Sequence, residues 1–247
     1  MADAKYTEAN PFIPQTESIP SDSDKPFVPA LLIIDMQNDF VYGSLPVPGA
    51  VTILRKVNEL IKFPGFKIKV ATRDSHPEEH VSFAKTHQKP LFTKITIYHP
   101  EDPDKLMGLE QVLWPVHCVA STGGADFIPG LVVDRFDHTI YKGTHPKIES
   151  YSAFRDAWGR NETELPGLLK EKGVTDVFCV GLAGDFCVKY TAMDAVEFGY
   201  RTWVIVDGVR SISHDDVAWN ELKERGVRFT KFQDVKDKVA PDEDEAL

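Results

Sequence analysis

Apolar and polar positions along this chain follow two alternating patterns. The runs "ALLIIDM" (30–36), "KIKVATRD" (67–74), "HTIYKG" (138–143), "DVFCVGLA" (176–183), "RTWVIVDG" (201–208) and "VRFTKF" (227–232) have strand length and strand composition. Most are too apolar to leave either face in water, as expected of a parallel sheet covered on both sides. Between them, 50–62, 163–172, 185–199 and 214–225 place apolar residues at helical spacing, and "LLKEKG" and "ELKERG" each end on a glycine suited to a helix C-cap. Strand and helix in alternation predict an α/β fold, a parallel sheet of about six strands with right-handed crossovers and helices on both faces.

The pattern breaks in three places. Residues 1–26 are rich in Pro, Ser, Asp and Thr without periodicity and read as an N-terminal arm; 236–247 read as a frayed acidic tail. Within the remaining domain, 27–235, a stretch at about 77–137 is rich in His and Pro and poor in regular periodicity. A loop region of that length in a compact domain usually carries function.

Composition narrows the classes. With 247 residues, 42% of them hydrophobic, the chain can bury one substantial core. A formal charge of -10 argues against nucleic acid as a partner, and no apolar run reaches the ~18 residues of a membrane span. The first residues lack the layout of a secretory signal, and three cysteines (Cys118, Cys179, Cys187) are too few for a disulfide framework. An intracellular protein with reduced thiols is expected. The cytoplasm is the first assignment, nucleus and peroxisome stay open, and so does a homo-oligomer.

In an open parallel sheet ligands bind beyond the carboxyl ends of the strands, which singles out the polar residues that close the apolar runs: Asp35, Asp74, Lys142 and the turn leading to Cys187. A thiol in the first turn of a helix feels the positive end of the helix dipole, which lowers its pKa and makes it a nucleophile. Equally, a free cysteine often packs as a small hydrophobe, as Cys179 in mid-strand and Cys118 are expected to do. A cysteine nucleophile needs a proton acceptor; a partly desolvated Asp35 suits that role, with Lys142 to balance charge. Asp74 and His76, two apart in an extended segment, project to one side and can chelate a cation, with His117 as a third ligand. One Asp and two His suit zinc, manganese or iron better than calcium. His80 is a fourth ligand or a neighbour that orients one. His87, His99, His138, His145 and His214 lack comparable spacing and read as loop or surface residues.

"LLIIDMQNDF", "TRDSHPEEHVSFA", "LWPVHCV", "YKG" followed by "YSAF", and "VGLAGDFCV" occur in the order seen in nicotinamidases of the isochorismatase-like cysteine hydrolases, over roughly 30–230. The long insertion ending in "LWPVHCV" resembles the yeast-type members. The resemblance implies a Rossmann-like three-layer fold and an Asp35–Lys142–Cys187 catalytic triad. It also implies one divalent metal, zinc first and iron or manganese as alternatives, on Asp74, His76 and His117. Phe40 and Trp114 match aromatic walls around a pyridine ring, and Tyr151 and Leu182 fall on pocket positions. A cis peptide before Ala183 would aim the N–H groups of Ala183 and Cys187 at one point as an oxyanion hole. The implied activity is hydrolysis of nicotinamide to nicotinate and ammonia through a cysteine thioester, in NAD salvage.

Overall fold

In a computed structural model, which describes residues 14–17, 19, 26–213 and 215–239, six strands form one parallel sheet. These are β1 (Pro29–Ile34), β2 (Ile68–Asp74), β5 (His138–Lys142), β6 (Asp176–Leu182), β7 (Arg201–Arg210) and β8 (Arg228–Thr230), arranged β5-β2-β1-β6-β7-β8. Every neighbouring pair is parallel. The chain starts in the middle, builds outward to β5 on one side and then returns to build outward to β8 on the other. The order reverses between β1 and β6, and a crevice opens there at the carboxyl ends of the strands.

Period-2 alternation divides the strand side chains between two apolar layers. Leu31, Ile33, Phe178 and Val180 pack under α2 (Leu54–Lys62) and α7 (Phe232–Val239) through Val57, Leu60, Ile61, Val235 and Val239. Ala30, Leu32, Ile34, Val177 and Cys179 pack under α4 (Leu165–Glu171), α5 (Cys187–Glu197) and α6 (Val217–Glu224) through Leu165, Leu169, Val188, Ala192, Ala195, Trp219 and Leu222. Cys179 is the core residue that its mid-strand position predicts. The helix expected over 50–62 begins as a 3-10 turn, Ala50–Ile53, before α2. Gly173 and Gly226, which follow α4 and α6, both take the left-handed conformation expected of a C-cap.

Three expectations need correction. The 77–137 stretch is more ordered than its composition suggests: it holds α3 (Ala84–His87) and an antiparallel hairpin, β3 (Lys94–Tyr98) and β4 (Gly108–Val112). The strand expected over 227–232 stops at Thr230 because Phe232 already begins α7, whose last turn takes in Lys236–Val239 of the expected tail. Parts of the arm are structured: the Glu17 N–H bonds to Phe229 O at 2.7 Å on the β8 edge, and Ile19 packs on the core. The rest of the arm, the tail from 240 and His214 lie outside the described residues.

Candidate active site

Four strand ends supply the polar groups. β1 runs directly into Asp35, β2 and β5 end in Asp74 and Lys142, which are register partners, and the turn after β6 leads to Cys187 at the start of α5. Lys142 is the hub. Its Nζ lies 2.9 Å from Asp35 Oδ2, donates to Asp74 Oδ1, and lies 3.2 Å from Cys187 Sγ. Sγ and the two carboxylates sit within 4.8 Å of one another. Asp35 itself adopts a left-handed backbone (φ 49°), and its Oδ1 accepts a 2.6 Å hydrogen bond from Thr72 Oγ1 on β2. Oδ2 has no hydrogen-bond partner among the described residues, because Lys142 approaches it off the bonding direction. One carboxylate oxygen therefore keeps a lone pair beside the thiol.

Burial decides the protonation states. It acts to lower Lys142, but Asp35 and Asp74 outweigh it and keep the ammonium charged well above its ordinary value. Burial, joined by the charge of Asp74, raises Asp35 by more than Lys142 and Thr72 take back. On Asp74 burial pulls upward too, yet Lys142 and the two imidazoles hold that carboxyl well below the usual range. Cys187 corrects the sequence expectation. Burial, joined by the charges of Asp35 and Asp74, raises the thiol well above its ordinary value despite Lys142 and the helix start. At rest Cys187 is therefore held as a thiol, and a base has to take its proton before it can act as a thiolate.

Asp74 also belongs to a second cluster. His76 Nε2 and His117 Nε2 face its Oδ2 at 3.5 and 4.0 Å. His76 Nδ1 is held by Gly143 O at 2.9 Å and His117 Nδ1 by Pro115 O at 2.8 Å, so both Nδ1 atoms carry a proton and both Nε2 atoms face inward, where a cation would take the place of any proton on them. Burial and the nearby His76 push His117 down to about 4, which keeps it a neutral ligand. Three buried donors converging within 4.8 Å fit a divalent ion. Gly143 is required here: it has φ 61°, and a Cβ would collide with the His76 ring. His80 stacks on His76 at 4.1 Å with both ring nitrogens engaged, Nδ1 by Ser82 Oγ and Nε2 by Ile148 O. It orients a ligand and stands outside the trio.

Several residues that sequence reasoning passed over build this geometry. Gln37 accepts from the Asp74 N–H and donates to the Asp74 and Ala125 carbonyls, each at 2.8 Å. Asp39 Oδ2 takes the Cys118 N–H at 2.7 Å and so fixes the backbone beside His117. Glu149 is buried, and its Oε2 has no partner among the described residues; its charge acts on His76. A hydroxyl or amide placed where apolar residues are expected was the available signal for Thr72 and Gln37.

The Leu182–Ala183 peptide is cis. The turn's own hydrogen bonds are donated by Gly184, Phe186 and Val188, while the N–H groups of Ala183 and Cys187 donate to no described residue. Around this turn, Trp114 meets Phe186 edge-on at 4.8 Å and Tyr151 approaches Phe186 at 5.5 Å. Phe40 lies 5.4 Å from His117 on the other side. Leu182 is fully buried at the end of β6. Phe186, immediately before Cys187, is the wall residue that the sequence reading did not name.

The isochorismatase domain family model matches residues 29–234. A nicotinamidase from Acinetobacter baylyi is 40% identical over 212 residues, covering 83% of this chain and 94% of its own. The structure of the yeast nicotinamidase bound to the inhibitor nicotinaldehyde superposes with a TM-score of 0.78 at 34% identity, over 83% of this chain and all (100%) of that one. A pyrazinamidase of Pyrococcus horikoshii in complex with zinc gives a TM-score of 0.65 at 35% identity, over 82% and 98% of the two chains. With the family model spanning most of the chain and a relative 40% identical over 83% of it, the chain belongs to the isochorismatase family.

Proposed function

We propose that this protein is a nicotinamidase that hydrolyses nicotinamide to nicotinate and ammonia and so serves NAD salvage. The observation that carries the reading is the sharing of Asp74. One of its oxygens engages the Lys142 beside the thiol, and the other faces two inward-pointing imidazoles. A nucleophile and a metal-capable trio thus open on one crevice, matching the two ends of a small molecule that carries an amide and a ring nitrogen.

In the reaction Asp35 takes the Cys187 proton through its free Oδ2 lone pair while Sγ bonds to the carboxamide carbon. The N–H groups of Ala183 and Cys187 hold the oxygen as it gains charge, each such donor being commonly worth ~3 kcal/mol of barrier. The C–N bond then breaks, and ammonia leaves with the proton that Asp35 held. Water, deprotonated by Asp35, opens the thioester, and the thiol regains its proton as nicotinate departs. Lys142 stays an ammonium throughout and keeps the neighbouring carboxylate charges tolerable. An ion held by Asp74, His76 and His117 would supply a Lewis-acid anchor for the ring nitrogen; zinc is the metal proposed, with iron or manganese as alternatives. Phe40, Trp114 and Tyr151 bound the pyridine ring, and Leu182 closes the pocket from the sheet side. A thiol nucleophile needs reducing surroundings, which supports an intracellular location.

The test is ammonia release from nicotinamide, with metal content measured on the same preparation. Cys187→Ala abolishes turnover and retains nicotinate binding; Asp74→Ala loses the metal and weakens binding. Appreciable ammonia release by Cys187→Ala would overturn the covalent route.

A further inference from the structure

Tyr151 stands as a wall with empty space behind it. A cavity of about 510 Å³, lined by Gln111, Glu149, Tyr151, Trp158 and Tyr190 among others, lies between the β3–β4 hairpin, the 149–159 segment and α5. Tyr190 stacks on the phenol ring at 5.3 Å, but the cavity beside that stack leaves the position of the phenol oxygen to be fixed by polar contacts. What reaches across is Gln111, a 2% exposed residue of β4, whose Nε2 donates to Tyr151 Oη at 2.8 Å and to Val112 O at 2.7 Å. Trp114 Nε1 donates to the same Oη at 3.0 Å. The phenol oxygen is thus an acceptor shared by the hairpin and by the other aromatic wall, and both rings bear on Phe186 next to Cys187.

The hairpin is anchored to the site at its foot: the Trp114 N–H bonds to Ser82 O at 2.8 Å, and the Ala84 N–H bonds to Trp114 O at 2.9 Å. Gln111 thus sits two residues inside a fixed base, on a strand that belongs to no larger sheet. Removing its amide leaves Trp114 Nε1 as the remaining side-chain donor to Tyr151 Oη among the described residues, so the two walls lose their tie through Gln111 and shift together toward the cavity. The distance between the walls is what a flat ring feels, whereas the triad and the metal-capable trio do not touch Gln111.

We infer that Gln111 is a positioning residue that sets the aromatic slot through Tyr151 and Trp114, so that the hairpin gives the site its selectivity for a flat heteroaromatic amide. This rests on the nicotinamidase reading. It assigns a task to the one hairpin of the insertion among the described residues.

The experiment compares Gln111→Leu, Tyr151→Phe and the double variant, each as the metal-replete full chain, by steady-state kinetics and by calorimetric titration with nicotinate. Gln111→Leu is expected to raise KM for nicotinamide and weaken nicotinate binding about tenfold, the scale of one buried hydrogen bond, while kcat stays within about twofold. In the Tyr151→Phe background the same change has no further effect, because the acceptor is already gone. Preference for nicotinamide over an aliphatic amide of similar size narrows in parallel. A purely structural role would instead lower the melting temperature and the active fraction with KM unmoved, and that result overturns the inference. Effects that multiply in the double variant overturn it too. If the wild type releases no ammonia from nicotinamide, the functional reading fails, and the nicotinate titrations still judge Gln111.

Discussion

Replacing Lys142 with Met tests whether this ammonium keeps Asp35 usable as a base. In the native site Nζ stands 2.9 Å from Asp35 Oδ2 with both side chains fully buried. With an effective dielectric constant of about 20, a pair at that separation attracts by roughly 6 kcal/mol, or about 4 pH units on the carboxyl. Water entering the space left by the lysine screens part of this, and a rise of at least about 2 units in the Asp35 pKa is expected. Asp35 already lies above its ordinary value because burial, joined by the charge of Asp74, raises it, and the loss moves it further in the same direction. The base must be ionised to accept the thiol proton. The acid limb of kcat/KM should therefore shift upward by about 2 units, with activity on that limb falling about 100-fold and recovering as pH rises. The assay is ammonia release across pH 5–10 on metal-replete protein whose fold has been verified by circular dichroism, since breaking a buried ion pair costs about 3–5 kcal/mol. A profile of unchanged shape with only a lower plateau would refute the electrostatic role given to Lys142.

Thr72→Val removes the 2.6 Å hydrogen bond to Asp35 Oδ1. A hydrogen bond to a charged group contributes about 1.5–3 kcal/mol, so kcat/KM should drop about 10- to 100-fold on the acid side and recover at higher pH. A uniform loss at every pH would assign Thr72 to packing alone. In chelated protein, burial holds His80 down to about 2 and His117 to about 4, both below an unfolded value of about 6.5. The unfolded chain then binds more protons below that value, and each group subtracts about 1.4 kcal/mol of stability per pH unit as pH falls from about 6.5 to 4. His76 is raised and works in the opposite sense, so the clean measurement is the urea midpoint of His80→Gln against the parent. Their difference should shrink on acidification; a constant difference would show that His80 is not held neutral.

Much of the fold was legible because its central strands, β1 and β6, are buried on both faces. Each reads as a near-continuous apolar run, and a parallel sheet follows from runs alternating with helical spacing. The hairpin was not legible, because β3 and β4 are half-exposed, and "KITIY" followed ten residues later by "GLEQV" carries neither a long apolar run nor a tight-turn dipeptide. α7 was hidden in a charged stretch where only Val235 and Val239 face the core. For the site, strand-end position picked out Asp35, Asp74 and Lys142, since the carboxyl ends of parallel strands are where polar groups can gather without breaking a core. Residues acting through hydrogen bonds, such as Thr72 and Gln37, stand out in sequence only as polar groups at apolar positions; their partners, 37 residues away, are met only after the chain has folded, and a single sequence does not name them. The protonation state of Cys187 was misread for a related reason. The helix start is visible in sequence, whereas the burial that overrules it, joined by two carboxylates, arises only when other strands pack around the thiol.

Treating the triad and the Asp/His trio as separate constellations therefore understates how the site works. Asp74 was read as a chelating residue paired with His76, yet its Oδ1 is the second anion on Lys142. A lone carboxylate opposite Lys142 would leave a one-to-one pair, with the lysine's charge spent on Asp35 and the base held too acidic to accept a thiol proton. A second carboxylate divides that charge, and Asp35 stays above its ordinary value even with an ammonium 2.9 Å away. The two imidazoles facing Asp74 Oδ2 draw that anion the other way and help hold it ionised. Beside burial, which raises Asp35 most, the register that sets Asp74 opposite Lys142 at the ends of β2 and β5 serves both the basicity of Asp35 and the convergence of the trio.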